Sequence, residues 1–123
     1  MSKRILIVED QEDLRAILRD LLTASGYETI EAVDGGDGVA RAKSAKPDLV
    51  LMDIQLPVLD GYEAIRQIKA AAETASTPII AVSSFALKGD EQKARAAGCD
   101  AYVTKPYSPM KLLGMVRSFL DKK

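Results

Sequence analysis

Five polar residues stand at or just after the ends of short apolar runs, and their side chains suit metal and phosphoryl chemistry. They are Glu9, Asp10, Asp53, Ser83 and Lys105. Carboxylates bind hard divalent cations, whereas an amine and a hydroxyl can bind a phosphoryl group through hydrogen bonds. A carboxylate can also attack phosphorus as a nucleophile. Together these residue types favour metal-assisted phosphoryl transfer, provided that the fold brings them together.

The apolar runs that precede these residues predict the strands of a sheet. Continuous apolar runs are typical of strands that are buried on both faces. We expect four such strands, at residues 5–8, 49–52, 78–82 and 101–103. A more polar run at residues 27–33 predicts an edge strand.

Helical patterns lie between the expected strands. One apolar stripe has the spacing of a helix face and consists of Leu14, Ile17, Leu18, Leu21 and Leu22. Gly26 suits the C-terminal cap of that helix. Further helices are expected at residues 37–45, from Tyr62 onward and at residues 90–97. Ser108 and Pro109 predict the N-cap and first residue of a last helix.

Five strands alternating with five helices predict an α/β fold, a doubly wound parallel sheet in one domain over residues 1–123. Five strands favour the flavodoxin-like order 2-1-3-4-5 over the six-stranded Rossmann order. Ligands of such sheets bind beyond the carboxyl ends of the strands, between strands 1 and 3. The five polar residues are all expected at that edge.

The charges at this edge predict what binds there. Two carboxylates ~5 Å apart repel by roughly 3 kcal/mol at an effective dielectric constant of 20, and a divalent cation relieves that repulsion. We therefore expect Asp10 and Asp53 to bind Mg²⁺ or Mn²⁺ directly and Glu9 to bind it through water. Lys105 and Ser83 would receive a phosphoryl group, and Asp53 would be its nucleophile.

Each of these residues also has an ordinary structural role when taken alone. Asp10 could cap the first helix, Asp53 could cap a loop, and Ser83 could be a turn residue. Their convergence on one edge of one sheet favours the functional interpretation.

Composition excludes several classes of function. The 123 residues contain no His, so a Ser-His-Asp triad and a His-ligated zinc site are excluded. A single Cys excludes an internal disulfide framework. A net charge of −1 argues against direct nucleic-acid binding. No apolar run approaches the ~20 residues that span a bilayer, and we expect a cytoplasmic protein without membrane contact.

In order along the chain, these motifs resemble those of response regulator receiver domains, the CheY-like family. The resemblance covers the chain from Ile5 to about Leu120. It rests on Ile7-Val8-Glu9-Asp10, Leu51-Met52-Asp53-Ile54-Gln55-Leu56-Pro57, Asp60-Gly61, Pro78-Ile79-Ile80-Ala81-Val82-Ser83 and Lys105-Pro106. Residues 85–91 and 98–102 look most like single-domain regulators of the DivK kind and receivers of hybrid kinases.

The resemblance implies a role for each site residue. Asp53 would accept a phosphoryl group from a sensor histidine kinase or a histidine phosphotransfer protein. The backbone carbonyl of Gln55 would join the metal ligands, and Lys105 would pair with the phosphoryl group. Pro106 would follow a cis peptide bond. Ser83, in place of the commoner Thr, and Tyr102 would form the switch that repacks the surface of helix 4, strand 5 and helix 5.

The resemblance also implies partners and leaves alternatives open. A downstream protein would bind the face of helix 4, strand 5 and helix 5, or helix 1, and homodimerisation is an open option. Catalysis would be limited to self-directed phosphotransfer and slow autodephosphorylation, and no output domain is expected. A binding-only pseudo-receiver and a receiver fragment of a larger hybrid kinase are the alternatives.

Three other phosphate-linked classes fit less well. A haloacid-dehalogenase phosphatase wants a second Asp two residues after its nucleophile, where this chain has Gln55. A flavodoxin wants a Ser/Thr/Gly-rich loop after strand 1, where this chain has Glu9 and Asp10. No G-x-x-x-x-G-K motif of a P-loop occurs.

Overall fold

The computed structural model describes residues 3–56, 58–83, 89–105 and 107–121, which form five strands and five helices. In chain order the elements are β1 (Arg4–Val8), α1 (Glu12–Ala24), β2 (Glu28–Ala32), α2 (Gly35–Ala45), β3 (Leu49–Asp53), α3 (Gly61–Ala70), β4 (Ile79–Ser83), α4 (Asp90–Ala97), β5 (Ala101–Thr104) and α5 (Pro109–Leu120). Among the described residues, none of the helices combines the length and apolar character needed to cross a bilayer.

All strands pair in parallel, and their order is β2-β1-β3-β4-β5. This confirms the predicted fold class and strand order. β3 and β4 are buried at every residue, whereas β2 is half-exposed at the edge of the sheet, as its polar sequence predicts. β1 and β3 are neighbours although α1, β2 and α2 lie between them in sequence. The order reverses between these two strands, and the predicted site lies at that point.

Alternating strand residues supply two apolar layers, one on each face of the sheet. One layer packs under α2, α3 and α4 and includes Leu6, Val50 and Met52. The other packs under α1 and α5 and includes Ile5 and Leu51. Because both faces are covered, the inner strands β1, β3 and β4 are continuously apolar rather than alternating, and their polar residues lie at the strand ends.

The helix ends follow local capping chemistry. Ser108 accepts a hydrogen bond from the Lys111 N–H, with Pro109 as the first helical residue, as predicted. α2 begins at Gly35, two residues before the expected start, because the Asp34 carboxylate accepts the Asp37 N–H at 2.7 Å.

Gly26 has the predicted role at the end of α1. It adopts a φ of +94°, and its N–H donates to the Thr23 carbonyl. The Tyr27 N–H donates back to the Leu22 carbonyl, so β2 begins only at Glu28. The cap of α1 therefore takes one residue that the sequence pattern assigned to the strand.

Candidate functional site

The five predicted site residues lie at one edge of the sheet. Glu9 and Asp10 follow β1, Asp53 ends β3, Ser83 ends β4, and Lys105 follows β5. Asp53 pairs in register with Val82, one residue before Ser83. The parallel topology therefore brings together residues that are far apart in sequence.

Three carboxylates of this edge form one cluster. One oxygen each from Glu9, Asp10 and Asp53 lies within 4.8 Å of the others. Glu9 and Asp53 are buried, at 2% and 4% exposure, whereas Asp10 is exposed. Burial raises the pKa of Glu9. The hydrogen bond from the Gln11 N–H lowers this pKa and the nearby Asp53 charge raises it, so that the pKa is raised overall. The cluster thus holds negative charge where solvation is poor.

Lys105 reaches into this cluster. Its ammonium donates hydrogen bonds to Glu9 Oε1 at 3.0 Å and to Asp53 Oδ2 at 3.2 Å. Burial lowers the pKa of Lys105, but its hydrogen bonds and proximity to Glu9 and Asp53 outweigh burial and raise it overall. Three carboxylates against one ammonium leave two uncompensated negative charges.

From its sequence position, Lys105 is expected to bind a phosphoryl group on Asp53. In the structure the same amine also binds Glu9, which was expected to be a solvent-linked metal ligand. The reason is electrostatic, since an ammonium and carboxylates removed from water are destabilising unless they are paired, and Glu9 and Asp53 both lie within reach of Lys105.

Backbone bonds fix the two buried carboxylates. Glu9 Oε2 accepts the Gln11 N–H at 3.1 Å, and Asp53 Oδ1 accepts the Gln55 N–H at 3.1 Å.

The Gly61 N–H donates to the Ile54 carbonyl at 3.0 Å, and a Cβ at Gly61 would lie 2.3 Å from the Asp53 carbonyl oxygen. Only glycine therefore allows α3 to start so close to the end of β3.

The charge and geometry of the cluster fit a divalent cation. Two oxygens bound to an octahedral Mg²⁺ at ~2.1 Å lie roughly 3.0 Å apart in cis positions and roughly 4.2 Å apart in trans positions. The spacing of the three carboxylates is compatible with two direct ligands and a third that acts through water. A divalent cation would also balance the two uncompensated negative charges.

The two predicted switch residues are Ser83, which ends β4, and Tyr102, which lies in β5. Ser83 is fully buried, and its hydroxyl accepts a hydrogen bond from the Gln55 side-chain amide at 3.2 Å. Tyr102 is half-buried and pairs in register with Ala81, two residues before Ser83. Since residues two apart point to the same face of a strand, Tyr102 and Ser83 share the face covered by α4. Pro106, the expected cis proline, lies outside the described residues, as do Ser84 and Phe85.

Besides the contact between Lys105 and Glu9, two further contacts of the site were not predicted from the sequence. The Gln55 side-chain amide donates to the Ser83 hydroxyl and so links the loop after Asp53 to the end of β4. Arg15 donates to the backbone carbonyl of Glu9. The position of Arg15 in the first turns of α1, one turn beyond the acidic pair, is the sequence signal that could have indicated this contact.

An apolar groove adjoins the cluster. It has a volume of about 360 Å³ and is lined by Leu14, Ile17, Lys105 and Tyr107. Ile17 is 60% exposed although it belongs to the apolar stripe of α1. A large apolar side chain therefore faces solvent on the helix that follows Glu9 and Asp10.

Comparison with known proteins decides the family. The family model described as response regulator receiver domain matches residues 5–117. The chain belongs to the response regulator receiver family. This receiver is 44% identical over 120 residues to the polar-differentiation response regulator DivK of Brucella anthropi, an alignment that covers 98% of each chain. Similar matches occur in Brucella ovis and Brucella suis.

Solved structures place this receiver with CheY-like proteins. The receiver domain of sensor histidine kinase PA1611 from Pseudomonas aeruginosa PAO1 matches with a TM-score of 0.91 and 34% identity, covering 99% of this chain and 100% of that one. That structure contains a magnesium ion coordinated in its active site cleft. The chemotaxis protein CheY4 of Vibrio cholerae matches with a TM-score of 0.91 and 27% identity, covering 98% and 100%. The resemblance predicted from the motifs is confirmed.

Proposed function

We propose that this receiver is a phosphorylation-dependent switch in which Asp53 accepts a phosphoryl group from a phosphohistidine of a sensor histidine kinase or histidine phosphotransfer protein. The observation that supports it is the convergence of Lys105, Glu9 and Asp10 on the buried Asp53 carboxylate. No residue of this chain can supply the phosphohistidine, since the chain has no His. The phosphohistidine must therefore lie outside these 123 residues.

The chemical step needs only groups that this site and its donor provide. A carboxylate oxygen of Asp53 attacks the phosphorus, a P–O bond forms, and the P–N bond of the donor breaks. The electron pair of the broken bond returns to the imidazole ring of the donor. The product is an aspartyl phosphate, which water later hydrolyses.

The proposed metal ligands are Asp10, Asp53 and the backbone carbonyl of Gln55, with Glu9 acting through water. Bound Mg²⁺ or Mn²⁺ would neutralise the negative charge that the attacking carboxylate and the phosphoryl oxygens share. Lys105 would hold one phosphoryl oxygen, because its ammonium already lies 3.2 Å from an Asp53 oxygen. The Ser83 hydroxyl would donate to another phosphoryl oxygen.

The readout would be a shift of the surface formed by α4, β5 and α5, with Tyr102 following Ser83. In the described part of the chain, α4 is anchored by only two buried residues, Ala94 and Ala97, whereas α5 buries four larger ones. Since a buried methyl(ene) group contributes about 0.8 kcal/mol, displacing α4 costs far less than displacing α5. A downstream protein partner would recognise this surface or α1.

The apolar groove beside α1 is the proposed docking site of the phosphodonor. Lys105 lines the groove and also contacts Asp53, so a helix seated there would present its phosphohistidine directly to the nucleophile. The exposed Ile17 offers an apolar contact for that helix.

Intact mass spectrometry after incubation with acetyl phosphate and Mg²⁺ tests the proposal. We expect one added phosphoryl group in the wild type and in Asp13→Asn, which changes an exposed aspartate of α1 outside the cluster. Asp53→Asn and a chelator should each abolish the adduct. A folded protein that gains no adduct and does not bind beryllofluoride would instead support a binding-only pseudo-receiver.

A further inference from the structure

Arg15 connects three parts of the structure at the acidic edge. Its Nε donates to Glu31 Oε1 of β2 at 3.0 Å, and its Nη1 donates to the backbone carbonyl of Glu9 at 2.9 Å. Only 14% of its side chain is exposed. One guanidinium therefore ties α1 and the edge strand β2 to the turn that contains Glu9 and Asp10.

The Glu9 carbonyl belongs to the peptide bond that leads into Asp10. That peptide is planar, so a bond to its oxygen also orients the Cα atom of Asp10. The Glu9 N–H donates to the Ala32 carbonyl at 3.1 Å, and the Glu9 carboxylate is held by Gln11 and Lys105. Within the described residues, no comparable hydrogen bond holds the exposed Asp10 carboxylate. Its position therefore depends on the backbone that Arg15 fixes.

We propose that Arg15 is a positioning residue, which holds the Glu9–Asp10 turn in the geometry that binds the divalent cation. This inference rests on the proposed metal site of the receiver. Arg15 touches neither a reacting atom nor a metal ligand oxygen, and it acts through the Glu9 carbonyl and through Glu31. The guanidinium is planar and rigid, so its two hydrogen bonds hold the Glu9 carbonyl in a fixed position relative to Glu31.

The direction in which Mg²⁺ affinity changes when Arg15 is lost distinguishes a positioning role from a purely electrostatic one. A guanidinium near a cation site repels the cation, so loss of Arg15 would strengthen metal binding if only its charge mattered. Loss of a group that orients metal ligands weakens metal binding, typically by 10–100-fold. Since the two roles predict opposite changes, one titration distinguishes them.

The test measures Mg²⁺ binding directly by isothermal titration calorimetry, without any phosphodonor. Arg15→Met should raise the Mg²⁺ dissociation constant by about tenfold. Arg15→Lys keeps the charge but loses the fork and should give a smaller rise. Arg19→Met is the matched control, because Arg19 reaches the same Glu31 at 3.6 Å and has no hydrogen bond to Glu9. It should leave Mg²⁺ binding unchanged.

Several outcomes would overturn the proposal. They are unchanged or tighter Mg²⁺ binding by folded Arg15→Met, an equal loss in Arg19→Met, and a wild type that binds no Mg²⁺. Should Arg15→Met fail to fold by circular dichroism, Arg15→Lys decides by the same titration. A wild type that binds Mg²⁺ but gains no phosphoryl group would contradict the proposed function. The Mg²⁺ titration would still decide the role of Arg15, because it needs no phosphodonor.

Discussion

Lys105 and Glu9 are joined by a hydrogen bond of 3.0 Å across 96 residues of sequence. The same ammonium contacts Asp53 at 3.2 Å, so one cation serves two buried carboxylates. Asp10 adds a third carboxylate beside them. The edge of the sheet is therefore short of positive charge, and its stability should depend on Lys105 and on divalent cations.

Replacing Lys105 should destabilise the protein most when divalent cations are absent. In a chelating buffer we expect Lys105→Met to lower the free energy of unfolding by about 3 kcal/mol, because two buried carboxylates lose their partner. Added Mg²⁺ should stabilise this variant more than the wild type. Urea unfolding with and without Mg²⁺ measures both effects.

Lys111→Met is the matched control for that experiment, since Lys111 lies exposed on α5. The interaction of Lys105 with Glu9 and Asp53 raises the Lys105 pKa despite its burial. Its contribution to stability is thus fully present below pH 10.5 and is lost as the pH rises through the folded value. An equal loss of stability in both Lys variants would contradict the interpretation.

Replacing Glu9 should separate stability from metal binding. Burial raises the pKa of Glu9, so between pH 4.5 and that raised value the folded state holds a proton that the unfolded chain has lost. Stability due to Glu9 therefore falls as the pH rises through this window. In a chelating buffer at neutral pH, Glu9→Gln should be more stable than the wild type, whereas its Mg²⁺ affinity should be lower.

The difference in unfolding free energy between Glu9→Gln and the wild type, measured from pH 4 to pH 8, isolates this effect from the other carboxylates. Glu73→Gln, at an exposed turn position, should show no such difference. The opposite result would be a Glu9→Gln variant that loses stability relative to the wild type as the pH rises from 4.5 to neutral. That result would show that the hydrogen bond to Lys105 outweighs the burial of Glu9.

The sequence predicted which residues meet at the site but not how their side chains pair. Asp53 and Lys105 follow strands whose carboxyl ends must share one edge, so their proximity follows from strand order alone. Whether Lys105 contacts Glu9 or only Asp53 depends on side-chain torsions and local charge, which no spacing rule contains. The contacts of Arg15 and of the Gln55 side chain escaped prediction for the same reason.

Boundaries of elements were less predictable than their existence. Asp53 and Ser83 are the last residues of β3 and β4 rather than the first residues after them, because the neighbouring strands extend the ladder by one pair. α1 begins after Gln11, which has no side-chain cap bond, so the ordinary role of Asp10 as its N-cap is not the one adopted.

Removing the Ser83 hydroxyl should affect stability modestly and phosphoryl binding more. Ser83 is fully buried and accepts a hydrogen bond from the Gln55 amide. Ser83→Ala should lower the free energy of unfolding by about 1 kcal/mol. It should weaken beryllofluoride binding, because the hydroxyl no longer donates to the phosphoryl analogue, while Asp53 still accepts a phosphoryl group.

Ser44→Ala is the matched control, because among the described residues the Ser44 hydroxyl donates only to the Arg41 carbonyl of the same exposed helix, α2. Fluorine-19 NMR of bound beryllofluoride measures its affinity for the wild type, Ser83→Ala and Ser44→Ala. Unchanged beryllofluoride affinity in Ser83→Ala would remove Ser83 from the proposed phosphoryl contacts.

Val58 should be replaceable with a gain in stability. Its φ is +69°, a left-handed conformation that is strained for a β-branched residue, and its side chain is 86% exposed. The strain therefore has little compensation from packing. Val58→Gly should raise the free energy of unfolding by about 1 kcal/mol, because glycine adopts this conformation without a Cβ clash. Lys46→Gly, at the other non-glycine residue with positive φ in the described ranges, should give a gain of similar or smaller size. Urea unfolding measures both, and a loss of stability in Val58→Gly would mean that the Val58 side chain packs more strongly than its exposure indicates.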